Sequence, residues 1–319
     1  GDHVALLHPA PDRSRRIALA AAGTRPGGAD RLVLPVRRGW MIARVFVAGP
    51  EDLAAAQAVQ VAIRLSGPAP APPAAPAGSD TPAELLATVN AELAAGPPPQ
   101  ALAGSLERLA CTGLGADAPT WDELSEAIRA RWTDAMPRLL AELRQGFATE
   151  REPGGWRGVH PATGTADAPD RVRAGIALSG LGALPAAEAA YFRTDEDRLG
   201  QPLDGSRTYR IRLPAAMPRA AFWSLTLYER TPDGRLFLVP NTPGRHAINS
   251  TSRGLRPDPD GAIPIRTGPL PPAGDEGLWL PSTAGPISLV FRIYRPDPKT
   301  RFVPPPVDPD PPALPAQRP

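Results

Sequence analysis

Hydrophobic positions follow different rules in different parts of this chain, and the changes of rule mark its organisation. Strict alternation dominates near the C-terminal end. Tyr209, Ile211 and Leu213 alternate with Arg210 and Arg212. Trp223, Leu225 and Leu227 alternate with Phe222, Ser224, Thr226 and Tyr228. Ile287, Leu289, Phe291 and Ile293 alternate with Ser288, Val290, Arg292 and Tyr294. A period of two sends successive side chains to opposite faces, so each run predicts a strand with one apolar face. Pro218 precedes the second run and does not interrupt it, as a ladder-forming strand requires. Shorter β-type runs at 236–239, 246–249 and 263–266 are separated by Pro, Gly and Asp turns. Together they predict an antiparallel β-sandwich, jelly-roll-like, over 191–302.

Helical spacing governs 81–190. Thr81-Pro-Ala-Glu84 is a capping box with proline at the first helical position. Leu85, Leu86, Val89 and Leu93 then form one stripe, ended by Gly96-Pro97. A second helix carries Leu102, Leu106 and Leu109. A further capping box, Thr120-Trp-Asp-Glu123, predicts the start of a third helix through Leu124, Ile128 and Trp132. Pro137 is expected to kink or restart it, and Gly146 to end it. The stretch 154–169 has no period, 171–179 is a short helix, and 186–190 is expected to add one more turn. Gly180-Leu-Gly182 reads as a helix stop.

Upstream, Val4–Leu7 and Leu32–Val36 are small β-type runs. Trp40–Val47 is apolar at nearly every position, which predicts a strand buried on both faces. Asp52 can cap a helix carrying Leu53, Ala56, Val59 and Ile63. Residues 66–80 are rich in proline and alanine and read as an extended linker. Residues 303–319 are proline-rich without a period and are expected to be disordered. The expected fold class is therefore α+β multidomain. A partial N-terminal β domain (1–65), a linker (66–80), a central helical section (81–190), a β-sandwich (191–302) and a tail (303–319) follow one another.

Composition narrows the function only by exclusion. Hydrophobic residues make up 42% and charged residues 21%, which is ordinary for a soluble protein. A net charge of +2 provides no strong field for nucleic acid, so no nucleic-acid partner is expected. No apolar run approaches the roughly 20 residues a membrane span needs. Cys111 is the only cysteine, so neither an internal disulfide nor a cysteine-based metal site can form. His3, His8, His160 and His246 include no pair at helical i, i+4 spacing. Ser179 precedes Gly180 but lacks the preceding glycine of a nucleophile elbow. Asp195-Glu-Asp197 and Asp204-Gly205 lack the spacing of an EF-hand and read as turn carboxylates. No metal and no cofactor is expected. Trp40, Trp223 and Trp279 read as core or lid aromatics, with sugar stacking as the sharper alternative.

These segments together resemble bacterial proteins that pair "domain of unknown function 1254" with "domain of unknown function 1214". The second domain is matched through Arg173–Ala183, Leu203-Asp-Gly-Ser206, Tyr209–Pro214, Ala221–Tyr228, Asn241, Pro259-Asp-Gly261, Trp279-Leu-Pro281 and Phe291-Arg-Ile-Tyr294. Gly1–Leu6, Trp40–Arg44 and Gly49–Leu53 resemble the end of the first. The chain departs from the family's pattern at His246 and Leu278, where tyrosine and asparagine are usual. The resemblance implies two jelly-roll-like β domains with a helical section between them. It also implies export, hence a periplasmic or secreted location. It implies no chemistry. The first residue is glycine rather than methionine, so we expect a processed product or a fragment that carries only the end of the first domain. The Trp40–Val47 strand would then lack its partners and promote self-association.

If the three alternating strands share one sheet, their polar positions share one face. The candidate ligand-binding residues are therefore Arg210, Arg212, Thr226, Tyr228, Arg292 and Tyr294. Guanidinium forks and tyrosine rings on one face suit a small anionic or hydroxylated ligand. Three functions remain open at this point. One is a non-catalytic ligand-binding or accessory β-sandwich protein of the bacterial envelope. Another is a hydrolase or lyase with a site between the two β domains. The last is a scaffold that binds protein along a sheet edge.

Overall fold

The computed structural model describes residues 50–64, 80–96, 98, 100–144, 148–165, 168–214, 222–272 and 278–310, the short stretches 18–21 and 31–34, and positions 42, 43, 45, 47 and 66. The fold is mixed α and β, with five α-helices among the described residues. No helix among them is long and apolar enough to cross a membrane. The chain divides into two compact units, neither of them a single continuous segment. One comprises Gly1–Val45, Ala58–Gln145 and Gly164–Pro169; the other comprises Phe46–Gln57, Gly146–Thr163 and Asp170–Pro319.

In the first unit, β1 (Ala18–Ala21) and β2 (Arg31–Leu34) pair in parallel. At Ile42, Ala43, Val45 and Val47 the backbone is not a strand, and Ile42 and Val47 are exposed. This corrects the expected Trp40–Val47 strand at those positions; the other four lie outside the described residues. An unbroken apolar run has no period and fixes neither a partner nor a register. The linker positions 67–79 likewise lie outside the described residues.

Helix α1 (Leu53–Ala62) follows a 3-10 turn at Pro50–Asp52. Helix α2 (Pro82–Ala95) starts as expected. The Thr81 hydroxyl accepts from the Glu84 N–H at 3.2 Å, and the Glu84 carboxylate accepts from the Thr81 N–H at 3.0 Å. Helix α3 (Gln100–Leu109) is followed by a turn clamped by Asn90. The Asn90 amide donates to the Gly113 carbonyl at 2.8 Å and accepts from the Gly115 N–H at 3.0 Å. The second capping box closes a 3-10 turn at Trp121–Glu123 and not the long helix. Leu124 is extended there (φ −68°, ψ 147°), so the helical ladder cannot continue. Helix α4 (Glu126–Arg144) begins beyond it and contains Pro137 without ending there. Trp132 Nε1 donates to the Thr112 carbonyl at 2.9 Å, tying α4 to the turn after α3.

The second unit holds the Pro50–Asp52 turn, the first half of α1 and the remaining elements. The latter are β3 (Ala148–Arg151), β4 (Arg157–Val159), α5 (Asp170–Ser179), β5 (Ala189–Thr194) and β6 (Tyr209–Pro214). Then come β7 (Trp223–Arg230), β8 (Leu236–Leu238), β9 (Ala247–Asn249), β10 (Ala262–Gly268), β11 (Trp279–Pro281), β12 (Ile287–Tyr294) and β13 (Asp308–Pro309). A seven-stranded sheet runs β3-β4-β5-β12-β7-β8, with β9 also paired to β7, and every pairing is antiparallel. A four-stranded sheet runs β11-β10-β6-β13. Tyr209, Ile211 and Leu213 of β6 and Ile263 and Ile265 of β10 join one hydrophobic core with the apolar faces of β7 and β12. The alternation of the sequence is thus resolved as a buried face on each sheet.

Four expectations need correction. Residues 148–159, expected to be helical or irregular, form β3 and β4 at one end of the larger sheet. Strand β5 begins at Ala189, where a helical turn was expected. The pairing of β10 with β11 is parallel, within a series expected to be wholly antiparallel. Trp279 Nε1 fixes that short strand by donating to the Gly268 carbonyl at 2.9 Å. Finally, the proline-rich end takes part in the fold through Asp310. Val307 is fully buried, Trp156 Nε1 donates to the Pro305 carbonyl at 2.7 Å, and β13 pairs with β6. Positions 311–319 lie outside the described residues.

A carboxylate organises the turn before β6. Asp204 Oδ1 accepts from the Ser206 hydroxyl at 2.6 Å, the Ser206 N–H at 2.8 Å and the Gly285 N–H at 3.4 Å. These bonds, the Ser206 hydroxyl first, hold its carboxyl below the ordinary 3.8. A depressed folded-state value contributes stability above the ordinary pKa and loses it as pH falls through the folded value. Asp204→Asn should therefore lower the urea midpoint at neutral pH. The gap to the parent protein should close as pH falls below 3.8. A gap of constant size across that range would show that the charge is not what matters.

Candidate functional site

Strands β6 and β10 pair so that Arg210 stands opposite Arg266 and Arg212 opposite Pro264. Ile211 and Ile265 between them point into the core, so these four face outward. They line a cleft of about 260 Å³ together with Asp258, Pro272 and Leu278. Both strands contribute arginine, Arg210 and Arg212 from β6 and Arg266 from β10, where Pro264 stands opposite Arg212.

The arginines differ in what they hold. Arg212 Nη1 donates to Asp258 Oδ2 at 2.8 Å, and its Nη2 donates to Asp260 Oδ2 at 2.5 Å. The turn closed by the Gly261 N–H on the Asp258 carbonyl positions both carboxylates. They keep the Arg212 guanidinium protonated, and the Ala262 N–H and Arg212 hold the Asp260 carboxyl below its usual range. Arg266 Nε lies 3.6 Å from Asp310 Oδ2. Arg210 has no ion pair and no side-chain hydrogen bond among the described residues, and its Nε is buried. Like charges directly opposite each other on an antiparallel pair are destabilising. The Arg210–Arg266 pair therefore favours an anion lying between or beside the two guanidinium groups.

The other four candidates lie elsewhere. Thr226, Tyr228, Arg292 and Tyr294 belong to the seven-stranded sheet, while Arg210 and Arg212 belong to the four-stranded one. The expected common face is thus corrected: β6 pairs with β10 and β13, not with β7 or β12. Three of the four do meet. Arg292 donates to the Thr226 hydroxyl at 3.2 Å and to the Tyr228 hydroxyl at 3.1 Å, with its guanidinium 5.9 Å from the Tyr228 ring centre. Tyr294 stacks on Phe222 at 4.4 Å between ring centres. On the same face Asp195 accepts two hydrogen bonds from Arg193 and one from Ser288, and lies 3.6 Å from Arg230. These groups satisfy one another inside the chain, whereas Arg210 does not.

The sequence reading missed Arg266, Asp258, Pro272 and Asp310. The alternation of Ile263 and Ile265 with Pro264 and Arg266 could have placed Arg266 on the outer face. No pattern marks Asp310. Among the described residues no group of His, Cys, Asp and Glu is placed to hold a metal ion. His160 Nδ1 accepts from the Ala162 N–H at 3.1 Å, and His246 Nδ1 lies 3.3 Å from Asn241 Nδ2, so both rings belong to local turns.

Residues 188–298 match the family model of domain of unknown function 1214, described as "Protein of unknown function (DUF1214)". The match spans β5 through β12 and so includes Arg210, Arg212, Arg266 and Leu278. No curated protein matches the chain. Among solved structures, the VPA0106 protein of Vibrio parahaemolyticus is similar in fold, with a TM-score of 0.62 at 20% identity over 92% of this chain and 75% of that one. A putative uncharacterized protein from Burkholderia cenocepacia matches at 20% identity over 69% of this chain and 51% of its own, with a TM-score of 0.31.

Proposed function

We propose that this chain is a non-catalytic ligand-binding protein of the bacterial envelope, periplasmic or secreted, whose second unit is a jelly-roll-like β-sandwich. Its site is the outer face of β6 and β10, and its ligand is a small organic carboxylate with a compact apolar body. The unpaired Arg210, set opposite Arg266 in the cleft, carries this reading. A guanidinium fork matches the two oxygens of a carboxylate. Pro264 and Pro272 add small apolar edges beside these polar groups, while Leu278 lies beneath them in the core. The described lining residues are arginine, aspartate, proline and leucine, a set suited to holding an anion. The envelope location and the relation of residues 1–65 to domain of unknown function 1254 rest on the family resemblance alone.

Isothermal titration with acetate, benzoate, succinate and inorganic phosphate tests the site. Benzoate should bind saturably and ahead of acetate. Arg210→Ala should weaken it about tenfold or more, the worth of one charge-assisted hydrogen bond. Benzoate binding that survives Arg210→Ala unchanged in a folded protein would place the site elsewhere.

A further inference from the structure

We propose that Arg198 sets the charge of this cleft by holding the Asp308 carboxylate away from Arg210. The inference rests on the anion-binding reading above and assigns that site an internal competitor. Strand β13 pairs with β6 so that Asp308 is the direct partner of Arg210 and Pro309 that of Tyr209. Direct partners on an antiparallel pair share a face, with Cβ atoms about 4.5–5.5 Å apart. An aspartate placed there is within reach of the arginine beside it. Yet no ion pair joins the two: Asp308 Oδ1 is buried, accepts no hydrogen bond among the described residues, and lies 3.0 Å from Arg198 Nη1 as an ion pair instead.

Arg198 is well placed for this. It follows Asp197, whose carboxylate accepts from the Leu199 and Gln201 N–H groups and fixes the turn. Its own N–H donates to the Val307 carbonyl at 2.9 Å, which brings it alongside the residue before Asp308. Two residues further on, Asp310 lies against Arg266. The segment from Val307 to Asp310 therefore delivers one carboxylate to each of the two facing arginines. One reaches its target, and Arg198 intercepts the other. The Asp308 side chain is only 25% exposed, so without Arg198 it would need another cation, and Arg210 is the adjacent one without a partner. That new pair would close the cleft to an external anion.

Three proteins decide this: Arg198→Ala, Asp308→Asn, and the two changes together. The Arg198 side chain is 57% exposed and its backbone bond to Val307 survives the change, so folding should be kept. Arg198→Ala should weaken benzoate binding by about tenfold, and adding Asp308→Asn should restore it to within about twofold. A merely structural role for Arg198 would not be rescued by removing a second charge. The companion readout needs no ligand. Phenylglyoxal attacks unpaired guanidinium groups, and peptide mapping follows its addition to Arg210. That addition should be slower in Arg198→Ala than in the parent protein and recover in the double variant. Unchanged binding and unchanged Arg210 labelling in Arg198→Ala would overturn the proposal, as would a loss that Asp308→Asn fails to restore. If Arg210→Ala abolishes benzoate binding while Arg198→Ala does not affect it, the anion site stands and only the role of Arg198 falls. If the parent protein binds no benzoate, the ligand reading falls and the labelling rates alone decide whether Arg198 controls the pairing of Arg210.

Discussion

Replacing Phe291 with alanine is expected to destabilise the second unit by about 3–5 kcal/mol, the range for emptying a buried aromatic site. Phe291 is fully buried in the middle of β12, and its neighbours are themselves rings. Trp223 stacks at 5.8 Å and Phe302 at 5.5 Å, and Trp156 meets it edge-on at 6.5 Å. Large flat neighbours are poorly able to collapse into the space left behind, so the upper half of that range is expected. Trp156 and Phe302 reach this ring from outside β12 and its two partner strands. The change should thus loosen the Trp156–Pro305 bond and the strap that ends in β13. Urea denaturation followed by tryptophan fluorescence measures the effect. A loss below about 1 kcal/mol, the scale of a tolerated hydrophobic swap, would mean that the aromatic cluster is not the centre of the core.

Period-two patterning made the inward faces of β6, β7 and β12 legible. Ile211, Leu225, Leu227, Leu289 and Phe291 are all buried as their spacing requires. The same patterning could not say which strands pair, because partner choice depends on contacts distant in sequence. Arg210 and Arg292 have the same local signature and belong to different sheets. One guanidinium is satisfied by hydroxyls of the next strand, and the other opposes a second arginine. That difference decides which of them is available to a ligand. Strands β3 and β4 were illegible for another reason: they are three or four residues long, too short to display a period, and Gly158 lies within β4. The end of the chain misled through its prolines. Proline removes a donor but fixes φ, so an ordered proline segment loses little entropy and bonds through its carbonyls. The carbonyls of Pro305 and Val307 do so here, toward Trp156 and Arg198. Asp308 and Asp310, which bear on the site, were hidden in that segment.

Gly205→Ala is expected to be a strongly damaging methyl addition in the second unit. A Cβ at Gly205 would lie 1.9 Å from the Thr283 carbonyl oxygen and 3.1 Å from Ile287 Cγ2. The first obstacle is backbone and cannot rotate away. The two segments are also bolted together on both sides of the contact. The Gly205 N–H donates to the Gly285 carbonyl at 2.8 Å, and the Gly205 carbonyl accepts from the Ser282 hydroxyl at 2.7 Å. The Ile287 N–H adds a bond to the Leu203 carbonyl at 3.2 Å, at the first residue of β12. To admit a methyl group, the turn between Leu203 and Ser206 must move off the 282–287 segment and give up part of this set. The cost should be about 3 kcal/mol or more, the upper end for overpacking a close contact. Gly96→Ala is the matching control, because a Cβ there meets nothing within 4 Å. Its effect on stability should stay within about 0.5 kcal/mol. Paired urea midpoints for the two variants test the argument, and equal midpoints would show that the contact at Gly205 yields without cost.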